Sequence, residues 1–119
     1  MYRTHDVSIV LTAWQEVPGL VKALVADAAK WVEFETYPPD ESAVRFHHRL
    51  VLIHPFVNGN GRHGRFSADY LIAALGQPTF SWGAGLGVDR VELRKRYRTA
   101  LQHMDYDADD VCQLHFARS

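Results

Sequence analysis

A chain of 119 residues with 47% hydrophobic and 23% charged residues has the size and make-up of one globular domain. Its formal net charge of -1 argues against wholesale binding to nucleic acid or to a membrane surface. The single cysteine, Cys112, excludes an intrachain disulfide and fits a reducing compartment, hence a cytoplasmic location; no basic-then-apolar leader and no run approaching the ~20 apolar residues of a membrane span is visible.

The first patterned segment, residues 7–14, is apolar and β-branched and reads as extended, an edge strand or hairpin arm. Pro18-Gly19 then opens a helix. Leu20, Leu24, Ala28, Trp31 and Val32 recur at helical spacing on it, and Tyr37-Pro38-Pro39 should end it. Asp40 is a suitable N-cap for a second helix, with Glu41 in the first turn. Ala43, Val44, Phe46, Leu50, Val51 and Ile53 are too densely apolar for a surface helix, so this one is expected at the centre, stopped by Pro55. A third helix is expected over residues 62–75, with Phe66, Tyr70, Leu71, Ala74 and Leu75 as its apolar face and Gly76 as its stop. Residues 77–88, with Pro78, Gly83, Gly85 and Gly87, read as a loop. Asp89 caps a helix over 90–104, and a last helix runs over 107–116. The fold class is all-α, a compact helical bundle with a short N-terminal hairpin or extended flap.

Between the second and third helices lies His54-Pro55-Phe56-Val57-Asn58-Gly59-Asn60-Gly61-Arg62-His63-Gly64-Arg65. Gly59-Asn60-Gly61 can adopt backbone conformations closed to other residues. Where such a turn opens a helix, unpaired N–H groups and the positive end of the helix dipole make an anion site. Arg62 and Arg65, three apart, share one side of the helix, and guanidinium forks match phosphate oxygens in pairs. His54 precedes the turn; a histidine is largely neutral at pH 7 and is a suitable general base, and neighbouring Arg62 and Arg65 would lower its pKa. Asn-Gly also occurs twice and is a hairpin signal, but no apolar strands flank it. The stretch reads as a phosphate cradle beside a base.

This run resembles the signature of the Fic domain: His-Pro-Phe, any residue, Asp or Glu, Gly-Asn-Gly-Arg, two residues, Arg. Every fixed position matches except Asn58, where the family has an acid. Tyr37-Pro38, Glu41, the run from Arg45 through Val51, Ser81-Trp82-Gly83 and the closing Phe116-Ala117-Arg118-Ser119 are similar to the Fic subfamily called mobile mystery protein B. The resemblance implies one Fic-like domain over 1–119 that lacks the N-terminal helices of longer relatives. It also implies an adenylyltransferase, moving AMP from ATP to a Ser, Thr or Tyr hydroxyl of a target protein, with toxin-like biology among its roles. His54 would take the hydroxyl proton, and Phe56 would anchor the loop in the core. Gly59, Asn60 and Gly61 would form the anion hole, and Arg62 and Arg65 would hold the outer phosphates. Asn58 would stand where an acid helps to hold Mg²⁺, so metal binding, direct or indirect through water, is expected to be weakened. Val7, Ser8, Ile9 and Val10 would form a flap that docks the target by β-strand addition. The family's inhibitory helix is not matched by a full motif in this chain; it would lie upstream or in a separate antitoxin. The alternative is a catalytically weak or inactive module that binds nucleotide or a partner protein.

Other clusters read as structural. His47 and His48 lack enough neighbouring acids or cysteines for a metal set and are expected to pack or hydrogen-bond. The Arg90, Arg94 and Arg98 face reads as the solvated side of an amphipathic helix whose apolar side holds Leu93, Tyr97, Leu101 and Met104, so nucleic-acid binding is not expected. Trp14, Trp31 and Trp82 read as packing residues.

Overall fold

The computed structural model describes residues 1–7, 10, 12–107 and 111–119, the side chains of residues 103–107, 111 and 112 excepted, and the proline and glycine punctuation divides these described residues into five α-helices. They are α1 (Val17–Glu33), α2 (Pro39–Ile53), α3 (Asn60–Ala74), α4 (Arg90–Asp107) and α5 (Val111–Arg118), with single 3-10 turns at Trp14–Glu16 and Ala84–Leu86. The all-α class is as the sequence indicates, and among the described residues there is no strand. The expected extended arm over 7–14 is interrupted: the N–H of Val10 turns back to the carbonyl of Val7 at 3.0 Å, and Trp14 already belongs to the 3-10 turn. Ser8, Ile9 and Leu11 lie outside the described residues. No helix among the described residues is long and apolar enough to cross a membrane.

α2 occupies the centre, packed against α1, α3 and α5. It buries Ala43, Val44, Leu50 and Ile53 together with the polar Ser42, His47 and His48. On one side, Leu50 and Ile53 join Val17 and Leu24 of α1. On the other, Ala43 and Val44 join Ala68 and Ile72 of α3, Phe80 and Ala117. A helix buried on both sides cannot show a single apolar stripe, which is why its sequence is dense rather than periodic.

The helix ends obey local chemistry, with corrections. α1 stops at Glu33, before the prolines: Glu35 takes a left-handed φ of 49°, and the N–H of Thr36 returns to Trp31 O at 3.0 Å. This closure satisfies the last carbonyls before Pro38 is reached. Asp40 is not the N-cap of α2. Pro38 fills that place and Pro39 starts the helix, because proline presets the helical φ and has no N–H to leave unpaired. Asp89 does cap α4, its Oδ1 accepting from the N–H of Glu92 at 2.9 Å. α4 extends to Asp107, and α5 starts at Val111 rather than at 107.

The largest correction concerns α3. Phe66 and Tyr70 are 71% and 74% exposed, while Gly64, Ala68 and Ile72 face the core. Close approach outweighs side-chain size here. A Cβ on Gly64 would lie 3.0 Å from Val51 and 3.1 Å from the His47 ring, so only glycine lets α3 sit this near α2. On α1 the expected stripe is narrower as well: Leu24 and Ala28 are buried, but Leu20 and Val32 are 37% and 41% exposed.

Candidate active site

α2 ends at His54, which takes a left-handed backbone conformation (φ 53°, ψ 62°) while its N–H still bonds Leu50 O. A residue other than glycine pays ~1 kcal/mol or more to sit there. The reward is an immediate reversal: Pro55 is fully buried and the next residues form a loop rather than a fifth turn. What holds the reversal is Arg3, a residue that the sequence reading passed over. Its side chain is wholly buried. Nε donates to His54 O at 2.6 Å, Nη2 to Thr12 O at 2.7 Å and to Ile53 O at 3.4 Å, and Nη1 to His5 O at 3.0 Å. The Arg3 N–H adds a bond to Pro55 O at 2.8 Å. A cation at a helix C-terminus meets both the dipole and the orphaned carbonyls. The signal for it was a helix end without glycine, whose carbonyls must find donors elsewhere; the partner 51 residues away is not visible locally.

The same arginine ties down both ends of the segment that holds Val7 and Val10. His5 and Thr12 flank it, and the Thr12 hydroxyl also donates to Leu52 O at 3.2 Å. Of the four residues expected in a flap, Ser8 and Ile9 lie outside the described residues.

The His54 ring is part-buried and makes no hydrogen bond to another described residue. Burial first, then the Arg3 charge, hold its pKa below the ordinary histidine value. The expected direction stands, but its cause is corrected: the cation responsible is Arg3, not Arg62 or Arg65. The imidazole is therefore neutral at pH 7, as a proton acceptor must be.

From Pro55 the loop reaches α3 through Gly59, the N-cap, whose φ of 75° demands glycine. α3 has no side-chain cap, so the N–H groups of its first turn have no cap partner. Asn60 is buried and differently employed from the expectation. Its Oδ1 accepts from the N–H of Phe56 and its Nδ2 donates to Phe56 O, both at 2.9 Å. The side chain braces the loop, leaving only its backbone N–H for an anion. Phe56 is half-buried between Tyr2 (ring centroids 5.9 Å apart) and His63 (4.8 Å, edge-on). Asn58 is exposed at the loop. Arg62 is exposed, without a carboxylate partner among the described residues. Arg65 is part-buried and folds back over the start of its own helix: its Nη1 lies 3.2 Å from where a Cβ of Gly61 would stand. His54, the uncapped helix start and the two arginines thus come from the end of α2, the loop and the first turns of α3.

A protein-family comparison finds the description "Fic/DOC family" over residues 1–72, more than half of the chain, including the whole of this loop. The chain belongs to the Fic/DOC family. Among curated proteins, this Fic chain is 38% identical over 64 residues to "Protein adenylyltransferase Fic" of Drosophila melanogaster, and 36% identical over 64 residues to "Protein adenylyltransferase fic-1" of Caenorhabditis elegans. In both cases 51% of this chain is matched, and it spans only 13% of the relative's length. Among solved structures, a Fic domain containing signaling protein from Bacteroides thetaiotaomicron superposes with a TM-score of 0.74 at 22% identity, covering 99% of this chain and 44% of that one. That likeness establishes the fold.

Among the described residues no three His, Cys, Asp or Glu side chains come together to hold a metal. His47 and His48 are buried, and both ring nitrogens of His47 are engaged by Tyr97 and Gln113. Asn58 offers an uncharged oxygen at the exposed loop, a weaker donor for Mg²⁺ than a carboxylate.

Proposed function

We propose that this chain is a Fic-type nucleotidyltransferase that moves AMP from ATP to a Ser, Thr or Tyr hydroxyl of a target protein. The observation that carries the reading is the His54 imidazole, its pKa lowered and without a hydrogen-bond partner among the described residues, on a backbone that Arg3 fixes at the end of α2, a short loop away from an uncapped helix start that bears Arg62 and Arg65. The target oxygen attacks the α-phosphorus and its proton passes to His54. The bond from that phosphorus to the bridging oxygen breaks, and pyrophosphate leaves with the electron pair. The N–H groups of Gly59, Asn60 and Gly61 and the guanidinium groups of Arg62 and Arg65 offset the phosphate charge. The protein's contribution is positioning and charge neutralisation, which is what phosphoryl-type transfer requires. Mg²⁺ arriving with the nucleotide would supply further charge neutralisation, with Asn58 in contact directly or through water; no step above depends on it. Val7 to Val10 would dock the target as an added strand, and an inhibitory helix or antitoxin would come from another segment or chain. The names of the curated relatives support the adenylyl group as the one transferred.

One observation favours a second reading: Asn58 brings no charge to the loop, as befits a weak enzyme or a nucleotide-binding module. Incubation with ATP labelled on the α-phosphate and a cell lysate separates the two. We expect label on protein that is lost in His54→Ala. Nucleotide binding with no transfer by either form would establish the module instead.

A further inference from the structure

One buried polar chain has no part in that reaction scheme. His47, at the middle of α2 with no solvent exposure, is edge-on to Tyr97 of α4 (centroids 5.6 Å apart), and its Nε2 lies 2.7 Å from the Tyr97 hydroxyl. Its Nδ1 is bonded by the side-chain amide of Gln113 of α5, itself only 1% exposed. Beyond Tyr97 comes Arg65 of α3: its guanidinium carbon is 4.8 Å from the Tyr97 ring centroid. The Tyr97 hydroxyl and Arg65 Nη1 converge on one spot, 3.7 Å and 3.2 Å from the site of a Cβ on Gly61, in the first turn of α3. Four helices therefore contribute one residue each to a line that ends at the uncapped helix start.

Buried polar groups at the core of such a line are costly unless each is paired, and pairing them rigidly fixes their geometry. A free arginine loses rotamer freedom on binding phosphate, and one already held over the helix start has less to lose. The hydroxyl of Tyr97 is a suitable holder. It is neutral, so it orients the guanidinium without cancelling its charge as a carboxylate would.

We propose that Tyr97, oriented by His47 and Gln113, is a positioning residue that presets Arg65 for the outer phosphates of the nucleotide. This rests on the nucleotidyltransferase reading above and adds to it the residue that sets polyphosphate preference. Tyr97 itself touches no reacting atom.

Calorimetric titration of the free protein with ATP and with AMP tests it. Tyr97→Phe keeps the ring and removes the hydroxyl. It should weaken ATP binding about tenfold, leaving AMP binding unchanged. Arg65→Ala should also weaken ATP, and adding Tyr97→Phe to Arg65→Ala should weaken it no further. Equal ATP affinity in wild type and Tyr97→Phe overturns the proposal alone, as does a fully additive loss in the double variant. Failure of the wild type to bind ATP more tightly than AMP removes the underlying reading, and the proposal with it. A second measurement needs no variant. In the free wild-type protein, the Arg65 Nε–H resonance should be ring-current-shifted and slow to exchange, unlike that of exposed Arg62; an Arg65 signal as averaged as that of Arg62 overturns the proposal.

Discussion

At the scale of single residues, the site depends on one backbone conformation and one buried cation. His54 stays in the left-handed region because Arg3 satisfies the carbonyls on either side of the reversal. Arg3→Ala leaves those buried acceptors unpaired, at ~1–3 kcal/mol for each that water does not reach. We expect a fall of more than ~2 kcal/mol in unfolding free energy, read from denaturant midpoints. It also removes the charge that helps to keep the imidazole deprotonated. A base works when neutral, so the proposed transfer should speed up as pH rises through the His54 pKa; in Arg3→Ala that limb should move to higher pH. Asn58→Asp restores a hard anionic oxygen at the loop, and transfer at limiting Mg²⁺ should increase; no increase would show that metal contact there is not what limits the rate. His47 gives a stability prediction of definite sign. Burial, then the charges of Arg65 and His48, push its pKa down to about 3. The unfolded chain takes up this proton near pH 6.5 and the folded chain only near 3. Stability is therefore unaffected by this group above pH 6.5 and falls as pH drops from 6.5 towards 3, with a slope approaching ~1.4 kcal/mol per pH unit. Denaturant midpoints between pH 7 and 4 should show this slope, and it should be shallower in His47→Gln.

At the scale of elements, spacing between helices decides what composition does not. By periodicity Phe66 and Tyr70 read as the core face of α3, and Gly64 carries no such signal. The structure reverses them because a glycine and an alanine permit an approach that aromatic residues forbid. Two glycine substitutions separate local preference from packing. Gly19 in α1 has nothing within 4 Å of a Cβ position, so Gly19→Ala should stabilise by ~0.5–1 kcal/mol through helix preference. Gly64→Ala carries the same local gain but drives a methyl group against Val51 and the His47 ring, and should destabilise by ~1–3 kcal/mol overall. Thermal melts of both proteins read the difference, and equal shifts would contradict the close approach of α2 and α3.

At the scale of the molecule, the ends of the chain fasten the parts to one another. Arg3 joins the N-terminal segment to the end of α2. Arg118, at the end of α5, grips both carboxylate oxygens of Asp40 at the start of α2 (2.8 and 2.5 Å) and donates to Pro78 O and Thr79 O over the Phe80 ring. The carbonyl of Ala117 also takes the N–H groups of Ser81 and Trp82. This latch engages the very aspartate that local reasoning assigns to helix capping. Because the pair is part-exposed, its Coulomb share is screened, and the carbonyl bonds and ring contact matter more. Arg118→Ala should lower the unfolding free energy by ~1–2 kcal/mol in a denaturant titration, whereas Arg94→Ala on the exposed face of α4 should change it by less than ~0.5 kcal/mol.

What the sequence determined by itself is whatever is decided within a few residues. Helix starts and stops follow from proline, glycine and a capping aspartate, and the run from His54 to Arg65 carries a base, a left-handed glycine turn and a helix start in consecutive order. The family is legible for the same reason, since that run is contiguous. Only the tertiary structure decided which charged and polar residues serve the site from a distance. Arg3 lies 51 residues from His54, and Tyr97 lies 50 residues from His47. Their partners are carbonyls and ring nitrogens whose needs appear only once the helices are packed. It likewise decided which face of α3 is inside, because that depends on how closely two backbones can approach, a quantity that no periodicity along one chain contains.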